Sequence, residues 1–154
     1  AFIRTGPEIK AWELSGAALL ATLHDIMLPL GAFAVLGKFA GVQISIPVVI
    51  GLLTVVGYSI NDTIVVFDRL RENLRKRIGA DLADTINKSL NQTIGRSVST
   101  SFTVLLVLAA LYFFGGSTLK YFALILIIGV VAGTYSSIFL APPAIYLWKR
   151  RMRG

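Results

Sequence analysis

GYSINDTIVVFDRLREN, residues 57–73, starts inside an apolar run and ends in a string of charges. It sets Asn61 and Asp62 among Val, Ile and Leu. If the segment is a membrane helix, Asp62 lies about 10 Å inside the point where Arg69 emerges, at 1.5 Å per residue. That depth is within the hydrocarbon, where an ionised Asp costs on the order of 3 kcal/mol at the midplane. The stretch therefore decides two things: whether the chain crosses a membrane, and what makes a carboxylate worth burying there.

The remainder of the sequence answers the first. Of 154 residues, 55% are hydrophobic and 15% charged, too apolar for a water-soluble domain of this length to bury. Apolar runs at 14–37, 46–68, 97–114 and 119–148 approach or exceed the ~20 residues that cross a bilayer. They predict an all-α membrane protein of four transmembrane helices plus a cytoplasmic amphipathic helix. Residues 1–13 read as the end of a preceding span and a connector, so the chain is expected to be part of a longer protein. Residues 149–154 read as a basic tail. The start lacks the pattern of a cleavable signal peptide. With no Cys, disulfides and thiolate metal sites are excluded.

The net charge of +7 does not point to nucleic acid, because no aromatic residues interleave with the charges as stacking platforms. Its placement points to topology. Four spans divide the fifteen Lys and Arg so that Lys38 and Lys120 fall on one side and the other thirteen on the opposite side. The positive-inside rule puts the thirteen, with both chain ends and the 69–96 loop, in the cytoplasm. Tyr112, Tyr121, Tyr146 and Trp148 close the apolar runs as a belt at the lipid headgroups does.

Local signals give the boundaries. Ser15 is expected to cap the first helix, which carries Pro29, and Pro47 stands near the start of the second. A cytoplasmic helix over 69–78 should stop at Gly79, and Asp81 should cap another over 81–95. Leu82, Ile86, Leu90 and Ile94 give that helix an apolar stripe suited to the membrane surface or to the bundle. Gly115-Gly116 marks a turn. Gly129 and Gly133 form the small-xxx-small spacing that lets helix backbones approach.

Asp25, preceded by His24, lies about as deep in the first span as Asp62 does in the second. Three things can offset the burial of such an acid: a partner such as Arg96 at the mouth of the third span, protonation, or a hydrated path. Asp62, Arg96, Asp25 and Asn61 read as a proton relay, with His24, Ser97, Ser99, Thr100 and Ser101 as polar lining of that path, unless the hydroxyls bond their own helix carbonyls. Asp62 is read as a titrating group, against the alternative of a fixed helix-to-helix tie. Asp68 and Glu72, among Arg69, Arg71 and Arg75, read as surface ion pairs. Two acids on adjacent spans also suit an intramembrane aspartyl protease, but the Tyr-Asp and Gly-x-Gly-Asp contexts of that class are missing.

The stretch from Gly57, with LHD at 23–25, SLNQTIGRSVSTS at 89–101, FGG at 114–116 and GTYSSIF at 133–139, resembles the SecF side of the SecD/SecF protein-export family within the resistance-nodulation-division superfamily. The resemblance implies that these are the last four of six spans, half of a bundle of that superfamily's type. It implies a bacterial cytoplasmic (inner) membrane protein, not an enzyme, with SecD as a separate or fused partner. It implies help to preproteins leaving the SecYEG translocon, driven by the proton-motive force. Protons are then the coupling ion, no other cofactor is needed, and lipids surround the bundle. The family's transmembrane Asp falls on Asp62 and its Arg on Arg96. The alternatives are a proton-coupled exporter of lipids or small molecules and a purely structural subunit.

Overall fold

The computed structural model describes Ile9 and residues 11–151; the predicted end of a preceding span at the start of the chain lies outside the described residues. Five helices follow one another: α1 (Ala11–Ala40), α2 (Ile46–Arg75), α3 (Leu82–Phe114), α4 (Gly116–Phe139) and α5 (Ala141–Arg151). Four helical stretches are long and apolar enough to cross a membrane, with α4 and α5 together forming the fourth. Large apolar side chains, Phe39, Phe113 and Phe114 among them, remain exposed on the bundle, as a lipid-facing surface requires.

Several boundaries differ from expectation. α1 begins before Ser15, which lies inside the helix and not at its cap. α2 runs without a break through the apolar span and its polar extension to Arg75, so there is no separate helix over 69–78. Likewise 82–95 is the first part of α3, not a separate surface helix. Its Leu82 and Ile86 are buried, and Leu90 packs on the same apolar cluster. A fall in hydropathy marks where a helix leaves lipid; it does not end the helix, because the backbone hydrogen bonds continue.

α2 ends in a Schellman motif: the Arg77 N–H reaches the Leu74 carbonyl and the Ile78 N–H reaches that of Asn73. The left-handed residue is Arg77, at φ 54°, and not the anticipated Gly79. Gly79 is required for a different reason, since it has φ 125° and a Cβ there would lie 2.9 Å from Thr85 N. Arg77→Gly should therefore raise stability by about 0.5–1 kcal/mol, because Gly takes the left-handed conformation without steric cost. An unfolding titration in detergent checks this. Asp81 does cap α3, accepting from Asp84 N, and Ser45-Ile46-Pro47 opens α2 with Pro in the first turn.

The fourth span divides at Leu140, just before Pro142 and Pro143, giving α4 and α5. Neither proline can accept a ladder position that needs its N–H. α5 returns to the start of α1. Trp12 and Trp148 meet edge to face with centroids 5.2 Å apart, and Lys149 pairs with buried Glu13 at 2.9 Å. Lys149 thus belongs to the bundle and not to a free tail.

α4 is the central helix: 56% of the most apolar part of the Gly116–Arg151 span is buried, against 17% for that of α3. It packs on α1, α2, α3 and α5. Glycine permits the approach to α2: a Cβ on Gly129 would overlap Val55, at 2.6 Å from Cγ1. Gly133 faces Ser59 at 3.4 Å. The pairs Gly51–Ile125, Val55–Gly129 and Ser59–Gly133 advance together along both helices, so α2 and α4 run parallel. The small-xxx-small face is thus used inside the bundle.

Candidate functional site

The α2–α4 contact continues into a polar layer. Asp25 of α1 is fully buried. Its Oδ2 accepts hydrogen bonds from the hydroxyls of Ser59 on α2, at 2.5 Å, and Ser136 on α4, at 2.6 Å. His24 Nδ1 lies 3.0 Å from Asp25 Oδ1. Asp62 of α2, 8% exposed, accepts from Ser97 of α3 at 2.8 Å and from Ser137 of α4 at 2.9 Å. Each carboxylate is therefore solvated by two hydroxyls from two other helices. Consecutive residues of α4, Ser136 and Ser137, serve one acid each.

A third tie lies beside them. Ser101 is within hydrogen-bond distance of Tyr58 Oη, at 2.9 Å, and of Thr134 Oγ1, at 2.5 Å, linking α2, α3 and α4. Thr63, buried next to Asp62, has an Oγ1 without a hydrogen-bond partner among the described residues.

The structure brings together some of the residues expected from sequence and separates others. Asp25, His24, Asp62, Ser97 and Ser101 occupy the layer. Arg96 does not: it is exposed and lines a polar groove with Asp68, Arg69, Glu72 and Gln92. The ion pair expected between Arg96 and Asp62 is absent among the described residues, and hydroxyls take its place. Asn61 is also exposed, because the residue before Asp62 is turned by about 100° around a helix of 3.6 residues per turn. Ser99 and Thr100 are exposed too, and Thr100 bonds back to the Arg96 carbonyl.

Sequence reasoning missed Ser59, Ser136, Ser137, Tyr58 and Thr134. The one signal available was that Ser59, Gly133 and Ser136-Ser137 sit at the positions where small residues let α2 and α4 touch. Beyond the hydrophobic part of α2, Asn73 bonds Ser89 and Gln92, and Arg69 bonds Gln92 and Glu72. Hydrogen bonds from Lys76 and Arg69 hold the half-exposed Glu72 carboxyl below its ordinary value.

Buried acids at matched depth, each held by hydroxyls from neighbouring helices, define a multi-pass membrane protein with a polar layer inside an apolar bundle. Intramembrane acids of this kind mark ion or substrate pathways more often than fixed ties. Residues 10–151 match the family model described as protein export membrane protein SecD/SecF, C-terminal. The chain belongs to that family and corresponds to the C-terminal region of SecF. It is 53% identical over 134 residues to the protein translocase subunit SecF of Thermobaculum terrenum, covering 87% of this chain and 42% of the relative. It is 44% identical over 143 residues to the protein translocase subunit SecDF of Thermus thermophilus, covering 93% of this chain and 19% of that one. The crystal structure of SecDF from Thermus, described as a translocon-associated membrane protein, superposes with a TM-score of 0.85 at 45% identity. It covers 92% of this chain and 19% of that one. The chain thus spans less than half the length of these relatives.

Proposed function

We propose that the chain is the membrane half of a SecF-type protein-translocase subunit, in which the proton-motive force is taken up at Asp62 and used to promote preprotein export through SecYEG. It acts with SecD, separate or fused, in the bacterial inner membrane, with both ends of this segment cytoplasmic. The observation that carries the reading is the pair of buried acids, with only hydroxyls, and no cation, against Asp62 among the described residues. Hydroxyl hydrogen bonds favour the carboxylate and burial favours the neutral acid. The two effects oppose each other, so a modest change in packing shifts the balance.

Arg96 enters as the group that shifts it. It precedes Ser97 on α3, so a rotation of α3 by about 100° about its axis exchanges a hydroxyl near Asp62 for a guanidinium, which pairs with the carboxylate. Rotation back permits uptake. A proton falling through ~100 mV releases ~2.3 kcal/mol, enough to change a two-state population by between one and two orders of magnitude.

The test is export by the full-length protein with SecD and SecYEG in vesicles, with and without an imposed proton gradient. Export that rises with the gradient, accompanied by proton entry, supports the reading. Gradient-independent export without proton entry overturns it and favours the structural alternative.

A further inference from the structure

α4 carries two adjacent hydroxyls, about 100° apart around its axis, that reach two different acids on two other helices. Ser136 donates to Asp25 at 2.6 Å and Ser137 to Asp62 at 2.9 Å. Both serines are fully buried, and each also points to a carbonyl of its own helix, Gly133 or Thr134. A hydroxyl released by its acid therefore has a carbonyl to turn to. Because the serines share one rigid helix that a Gly129–Val55 contact already presses onto α2, α4 cannot shift toward one acid without changing its distance to the other.

We infer that Ser136 and Ser137 are positioning residues that couple the two carboxylates, so that proton occupancy at Asp62 sets the proton affinity of Asp25 and the reverse. A carboxylate accepts from both of its serines. A neutral acid must itself donate one hydrogen, so the serine at that oxygen accepts it and turns its own hydrogen to its helix carbonyl. Protonation at Asp62 thus frees Ser137 to bond the Thr134 carbonyl, α4 moves, and the Ser136–Asp25 bond lengthens. The titratable and charged groups around the layer are His24 beside Asp25, Tyr58 one turn before Asp62 on α2, and Arg96 beside Ser97 on α3. From α4 only hydroxyls face it, those of Thr134, Ser136 and Ser137.

The inference rests on the reading of Asp62 as the proton carrier, and the experiment separates the two. Proton entry is measured against pH in vesicles holding the full-length complex. Ser137→Ala removes a bond to the charged form, so the midpoint of entry should rise by about one pH unit. Ser137→Thr keeps the hydroxyl and should restore it, and Ser137→Cys, a weaker donor, should fall between. Ser136→Ala should move the same midpoint although Ser136 does not touch Asp62. An unmoved midpoint in Ser136→Ala, with the complex folded, overturns the coupling. Wild-type proton entry in Asp62→Asn would overturn the underlying reading instead.

Discussion

Asp62→Asn is expected to abolish proton entry and gradient-driven export while leaving the folded complex in the membrane. The amide has the shape of the acid but cannot titrate. Its oxygen can still accept from Ser97 or Ser137, and its NH2 can donate to the other hydroxyl, which has lone pairs to receive it. Stability should therefore change by no more than about 1–2 kcal/mol, whereas the coupled rate should fall at least a hundredfold. Asp62→Leu removes both acceptors, leaves two buried hydroxyls to turn back to their own helices, and should cost more in stability than the Asn variant. Thermal unfolding in detergent and pH-jump uptake in vesicles distinguish them. Normal proton entry in the Asn variant would defeat the proton-carrier role, and loss of the folded complex in that variant would favour a structural tie.

The second large effect is expected at Gly129. A Cβ there would overlap Val55, lying 2.6 Å from Cγ1 and 2.9 Å from Cβ, and the contact sits between two helices whose register is fixed on both sides. Gly129→Ala should cost about 1–3 kcal/mol, as overpacking does, and Gly129→Leu should prevent the bundle from closing. Gly133→Ala should be tolerated, since its nearest neighbours would be 3.4 Å away, an ordinary contact. A Val55→Gly change should rescue Gly129→Ala by removing the three atoms nearest the new methyl. Equal behaviour of the two glycines in a thermal-shift assay would contradict this register between α2 and α4.

The two acids could be read from sequence because charge is rare in hydrocarbon, so Asp25 and Asp62 stand out against any apolar background. The serines that hold them could not. An isolated Ser in an apolar helix most often bonds its own i−4 or i−3 carbonyl, and nothing in the local pattern tells Ser137, which reaches across to Asp62, from Thr103, which bonds only the Ser99 carbonyl. The expectation for Arg96 followed from its place at the start of the apolar run. The rotational position of α3 instead presents Ser97, and that depends on packing along the whole helix. Helix continuity across 68–69 and 95–97 was hidden for a related reason: polarity reports the surroundings of a helix, not its hydrogen bonding. The Arg77 turn was illegible because a nearby Gly offered the usual residue for that conformation.

The unbroken length of α3 has a mechanical consequence. At 1.5 Å per residue its 33 residues extend about 50 Å, some 20 Å more than the hydrocarbon thickness. The excess at its N-terminal end is bolted to the matching extension of α2 through Asn73, Ser89 and Gln92. A stiff rod of that kind acts as a lever when it tilts about a fulcrum inside the bilayer. A tilt of about 5° at the fulcrum sweeps the far end of a ~20 Å arm by nearly 2 Å. On the proposed reading, the energy released by a proton at Asp62 would be delivered as displacement outside the bilayer, along a helix with no break between the two.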